Sequence, residues 1–175
     1  EDKMQEMWAK VLASELCKPG EFSKRTLDVL SNLSQLEAKT FEKACRYISG
    51  NNSIYKFAHL PITVHHFDLY AGEISMLRDA GLIREGDELT MKYWISNKEE
   101  NVFPFIEIGD EYFRIKRNND VKLPYFEFPQ YLLSVAGREL SRLISTEKHE
   151  LYFRKLKEDW QLQGYTLEKM EVVRK

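Results

Sequence analysis

Cysteine is scarce in this chain, long apolar runs are missing, and no charge of one sign dominates. The 175 residues hold 2 cysteines, Cys17 and Cys45. These are too few and too far apart for a disulfide scaffold, and no Cys-x-x-Cys pair points to zinc or redox chemistry. Cys45 falls at a core-facing helical position and reads as a buried thiol. No apolar run approaches the roughly 20 residues that a membrane-spanning helix needs. No signal peptide opens the chain, so the expected setting is cytoplasmic. The formal net charge of −2 offers no global attraction to nucleic acid or to an anionic membrane.

Catalytic signatures are missing as well. There is no glycine-rich phosphate loop and no Gly-x-Ser-x-Gly elbow, and His149-Glu150 is not followed by a second histidine at the zinc-protease spacing. Carboxylates abound without a recognisable catalytic partner. His59, His65 and His66 form the one histidine cluster. A metal would need three or four ligands on a rigid element, and adjacent histidines at a helix start point about 100° apart. They read as helix-start polar residues, and no metal or cofactor is expected. The chain opens at Glu1 rather than at a methionine. It therefore reads as part of a longer protein, with any enzymatic activity expected in a missing N-terminal region.

What is present is a strong helical opening. Apolar residues at Met4, Met7, Trp8, Val11, Leu12 and Leu16 follow helical spacing, with Trp8 expected to be buried between helices. Pro19 and Gly20 stop this helix. Ser23 is the N-cap of a second, with Leu27, Leu30 and Val29 inward. Ser34 and Glu37 form a capping box for a third, whose apolar face runs Leu36, Ala38, Phe41, Ala44, Cys45 and Ile48, with Gly50 closing it.

An ordered string of residues carries a resemblance here. Trp-Ala-Lys-x-Leu-Ala-x-Glu (Trp8–Glu15) is followed by Lys-Pro-Gly-x-Phe-Ser (Lys18–Ser23), Arg-Thr-Leu (Arg25–Leu27) and Leu-Ser-x-x-Glu-Ala (Leu33–Ala38). The stretch Met7–Cys45 is similar to the bacterial domain-of-unknown-function family 2806, and Leu77–Ile83 and Ala136–Ile144 are similar to that family's tail. The resemblance implies a bacterial intracellular origin and brings no catalytic residues with it.

Further along, Ile54–Leu60 reads as a strand stopped by Pro61, and a fourth helix is expected from about Val64 to Ala80 with Phe67, Tyr70, Ile74 and Leu77 inward. Gly81 is placed to end it in the left-handed conformation with Leu82 packing back on Leu77. Gly72 is a weak point, costing about 1 kcal/mol against alanine. Strands are expected at Glu88–Ile95, Val102–Ile108, Glu111–Arg117 and Val121–Phe128, joined as an antiparallel meander with Gly109-Asp110 as a hairpin turn. A fifth helix (Val135–Ile144, capped by Ser134), a sixth (Lys148–Leu162) ended by Gly164, and a strand Leu167–Val173 complete the chain.

The expected class is α+β: a three-helix layer (residues 1–50) packed with a winged-helix-like unit of helix, meander and helix (54–145), then a C-terminal helix and strand (146–175), all three within reach of one compact domain. A winged helix invites nucleic-acid binding, which needs cations on the recognition helix and wing. The fourth helix offers Asp68, Glu73 and Asp79 against Arg78, and only Arg114, Lys116, Arg117 and Lys122 make a basic patch. A solvated strand face explains that patch more cheaply. Most of the aromatic block should be sheet core. The adjacent pairs Tyr112-Phe113 and Tyr125-Phe126, however, place one member of each outward on a regular strand, a candidate protein-partner surface. The expected function is thus a non-catalytic protein-interaction or regulatory module, with a nucleic-acid-binding winged helix as the alternative.

Overall fold

The first helix, α1 (Lys3–Cys17), shows which of its apolar residues the fold uses. Its apolar positions span too wide an arc for one buried face. Met7 and Val11 are the buried ones, at 1% exposure each, whereas Leu12 is 58% and Leu16 85% exposed. Trp8 is half-buried, so the expectation that it anchors the first layer is corrected: Met7 and Val11 hold that place. The computed structural model describes residues 3–50, 52–86, 89–94, 106–108, 111–117 and 125–171.

Helices α2 (Lys24–Asn32) and α3 (Gln35–Cys45) start as their capping residues dictate. The Ser23 hydroxyl accepts from the Thr26 amide at 3.2 Å. At α3 the Glu37 amide donates to Ser34 Oγ at 3.2 Å, and the Ser34 amide donates to Glu37 Oε2 at 2.6 Å. Two otherwise orphaned donors are satisfied reciprocally. Helix α3 packs against α1 and α4 and buries Ala38, Thr40, Phe41, Ala44 and Cys45. It ends at Arg46 in right-handed conformation, so Gly50 is not its terminator. Leu36, expected on the buried face, is 62% exposed.

The fourth helix is shorter than its periodicity predicts. Val64–Phe67 forms a 3₁₀ turn, Asp68 breaks it at φ +69°, and α4 runs only Ala71–Asp79. Asp is one of the few residues that tolerates the left-handed region. Tyr70 becomes the N-cap and is 55% exposed rather than inward. The end of α4 is as expected: Gly81 sits at φ +74°, its amide donates to Arg78 O, and the Leu82 amide donates to Leu77 O. That is a Schellman closure, with Leu77 and Leu82 both fully buried.

Leu82 then leads into a short extended stretch. Ile83 bridges Leu133, the Arg84 amide donates to Leu132 O, and the Ser134 amide donates to Leu82 O. Ser134 caps α5 (Val135–Ser141): its hydroxyl donates to Gly81 O at 2.5 Å and accepts from the Gly137 amide at 3.0 Å. Gly137 allows α5 to lie directly on the Leu82 peptide, whose carbonyl carbon would be 3.1 Å from a Cβ there, with its oxygen nearer still. Helix α5 packs on α2.

These helices form one of two compact units, built from Glu1–Arg46, Leu69–Gly86 and Leu132–Glu147. The other unit is built from Tyr47–Asp68, Asp87–Tyr131 and Lys148–Lys175. Its strands β1 (Ser53–Tyr55), β2 (Leu89–Trp94) and β5 (Tyr125–Leu132) form one sheet in the order β1-β5-β2. Strands β3 (Ile106–Ile108), β4 (Glu111–Arg117) and β6 (Tyr165–Met170) form a second, in the order β3-β4-β6. Strands β3 and β4 pair antiparallel with Ile108 opposite Glu111, and the expected turn residues Gly109 and Asp110 lie outside the described residues. The meander is corrected, because β2 pairs with β5 and not with β3.

Helix α6 (Glu150–Leu162) supplies the core of this unit through Tyr152, Phe153, Leu156 and Trp160. The Tyr152 hydroxyl donates to Tyr55 O at 2.7 Å, and the Trp160 ring meets Tyr55 edge-on at 5.1 Å. Burial among these rings pushes the Tyr152 phenol well above its ordinary pKa. Asp159, fully buried on the same helix, accepts three backbone amides: Ala58 at 3.0 Å on Oδ2, His59 at 2.8 Å and Leu60 at 2.6 Å on Oδ1. The fold is α+β.

Candidate functional site

The aromatic pairs singled out from the sequence lie in different sheets. On β4, alternation buries Phe113 (5% exposed) and Ile115, leaving Tyr112 and Arg114 half-buried on the opposite face. Phe113 is therefore core, with Lys157 Nζ 4.5 Å above its ring; Tyr112 is the outward member. Tyr125 and Phe126 lie on β5, opposite Trp94 and Tyr93 in register. The residues of the basic patch are likewise spread along a paired strand, with Arg114 opposite Glu168, Lys116 opposite Thr166 and Arg117 opposite Tyr165. Lys122 lies outside the described residues. Near the start of β4, Glu111 accepts from Lys157 and from Lys169. These two ammonium groups hold its carboxyl below the usual carboxylate range.

Two of the four histidines take part in helix-start hydrogen bonds. His59, His65 and His66 are exposed. His66 Nδ1 accepts the Thr63 amide at 3.1 Å, which makes it a helix-start cap. His149 plays the reciprocal part as the N-cap of α6, where its Nδ1 accepts the Tyr152 amide at 3.2 Å. Among the described residues, no group of three or more His, Cys, Asp or Glu side chains is placed to hold a metal ion. Cys17 is exposed and Cys45 buried.

A concave feature of the helical unit lies elsewhere, among residues that no sequence motif joins. A groove of about 390 Å³ is lined by Arg25, Asp28, Val29, Asn32, Leu33, Glu37, Asp79, Ala80 and Gly81. Three elements make it. Arg25, Asp28, Val29 and Asn32 follow i, i+3, i+4, i+7 spacing and so share one face of α2. The capped start of α3 brings in Glu37, and the Schellman end of α4 brings in Asp79 to Gly81. Val29 closes against Gly81, where an added Cβ would meet Val29 Cγ2 at 3.4 Å.

The groove's floor is apolar (Val29, the buried Leu33, Ala80, Gly81) and its rim is charged. Arg25, Asp28 and Asp79 are exposed, and among the described residues none of these side chains takes a hydrogen bond or ion pair. Glu37 already holds the Ser34 amide. Three carboxylates thus face one guanidinium, and the C-terminal end of α4 adds partial negative charge from its carbonyls. Such a site attracts cations and repels phosphate. The sequence marked Val29, Glu37, Asp79 and Gly81 separately, each within its own helix; their convergence depends on how α2, α3 and α4 pack, which no local pattern encodes.

None of the described helices is long and apolar enough to cross a membrane. No curated protein and no solved structure matches the chain. A family model described as a protein of unknown function, DUF2806, matches residues 1–157 of the 175. The match covers most of the chain and includes the ordered N-terminal string, and the chain belongs to the DUF2806 family.

Proposed function

We propose that this chain is a non-catalytic protein-interaction module and that the groove between α2, α3 and α4 is where its partner docks. The observation that carries this reading is the groove itself: an apolar floor under exposed charges that find no partner within the described chain. Concave sites with an apolar lining and a few polar groups are the usual places for recognition. The excess of carboxylates weighs against a phosphate backbone, whose binding rests on released counterions and therefore on cations. Tyr112, half-exposed on β4, is a second candidate contact in the β-rich unit.

The test sets two binding assays side by side. Affinity capture is run with the wild-type chain and with Asp28→Lys/Asp79→Lys, and the proteins retained by the first and lost by the second are counted as groove-dependent. A gel shift with mixed DNA and RNA at low salt runs in parallel. Groove-dependent capture without a shift is expected. Micromolar, salt-sensitive nucleic-acid binding, abolished by reversing Arg114, Lys116 and Arg117 to glutamate, would replace this reading with the winged-helix alternative.

A further inference from the structure

We infer that the occupant of the groove is an arginine or lysine side chain presented by a polypeptide partner. This rests on the docking role proposed above and adds the chemistry of what docks. Long basic side chains are amphipathic: their methylene stems lie along apolar surface while the charged head seeks polar groups. The groove has that polarity, with Val29, Leu33, Ala80 and Gly81 beneath and Asp28, Glu37 and Asp79 at the rim. Asp28 and Asp79 are uncommitted among the described residues, so a cation brought to them displaces no existing pair. Asp79 is also the last residue of α4, where the helix dipole favours a positive charge. An arginine head suits the site better than an ammonium, because its planar fork can address two carboxylates at once.

Arg25 sets the orientation. It would repel a second cation at its end of the groove, so the basic residue is expected to be flanked on that side by a neutral or acidic one. An acidic or phosphorylated segment fits poorly, since two rim carboxylates would face it unpaired. The negative balance of the lining therefore selects the sign of the partner.

The experiment uses the whole chain and three labelled peptides of about twelve residues sharing one alanine background. They carry arginine, lysine or glutamate at the same central position, and binding is read by fluorescence anisotropy and by amide chemical shifts. The expected order is arginine, then lysine, with no binding of the glutamate peptide. Amide signals of Asp28, Asn32 and Asp79–Gly81 should move, and added salt should weaken binding, because the rim is exposed. Asp28→Asn and Asp79→Asn should each lower affinity by about two- to fivefold, as expected for one exposed ion pair. Both side chains are exposed and unpaired, so urea midpoints of these variants should stay at the wild-type value. Equal binding of the three peptides, no binding of any at millimolar concentration, or shifts confined to other residues would overturn the inference. If groove-dependent protein capture persists while the arginine peptide fails, the partner chemistry is wrong and the docking role stands. Loss of groove-dependent capture removes both.

Discussion

Two glycines of the helical unit make opposite predictions under the same substitution. At Gly137 a methyl group would collide with the Leu82 carbonyl and lie 3.3 Å from the Leu133 Cβ, so α5 must withdraw from the peptide it rests on. Gly137→Ala should cost about 2–3 kcal/mol, as overpacking against backbone does, despite alanine's better helix propensity. Gly72, in the first turn of α4 without positive φ, has nothing within 4 Å of its would-be Cβ. There Gly72→Ala should stabilise by about 0.5–1 kcal/mol. Urea melts of both variants against wild type decide the matter, and two changes of the same sign would refute the geometry. The Leu77–Ile83 and Ala136–Ile144 strings were legible as sequence patterns, but not that Ser134 joins them by holding Gly81 O and the Gly137 amide at once. Asp159 was equally silent, because its three amide donors lie about a hundred positions away in sequence, at 58–60. Asp159→Asn replaces one carboxylate oxygen by an amide nitrogen and leaves at least one of those buried donors facing another donor. A loss of about 2–3 kcal/mol is expected, and a change below about 0.5 kcal/mol would mean the amides find water instead.

At the scale of elements, legibility follows how local the cause is. The Ser23 and Ser34 caps and the Schellman end of α4 are decided within a few residues, and each stands as the sequence indicates. Most of what failed depended on distant partners. Apolar residues are spread around α1, and only tertiary packing selects Met7 and Val11 over Leu12 and Leu16. The meander failed for the same reason: β2 finds β5 across the whole hairpin of β3 and β4. The break at Asp68 is local, yet apolar periodicity ran through it unmarked. The corrected face of α1 can be tested directly. Met7→Ala should cost about 2–5 kcal/mol, whereas Leu12→Ser and Leu16→Ser should each stay within about 0.5 kcal/mol. A large loss at Leu16 would mean that its side chain is covered in solution.

At the scale of the whole molecule, each unit is assembled from three separate stretches of chain, so neither exists as a contiguous piece of sequence. The helical unit is complete only when Leu132–Glu147 returns, bringing the Ile83–Leu133 bridge, the Ser134 cap and the packing of α5 on α2. Closing so long a loop costs entropy before any contact rewards it. A fragment of residues 1–86 carries α1 to α4 but leaves Leu82 and Ile83 without their strand partner and α2 without α5. It should therefore lack a cooperative transition. A fragment of residues 1–147 contains every segment of the helical unit while lacking α6 and β6, and with them Tyr152, Asp159 and Trp160 of the other core. In that fragment the amides of Leu82, Arg84 and Ser134 should remain protected from hydrogen exchange, and those of Ala58, His59 and Leu60 should exchange freely. Cooperative melting of the 1–86 fragment would show that α5 is an accessory rather than a part of the helical core. Loss of protection throughout the 1–147 fragment would show that the two units fold only together.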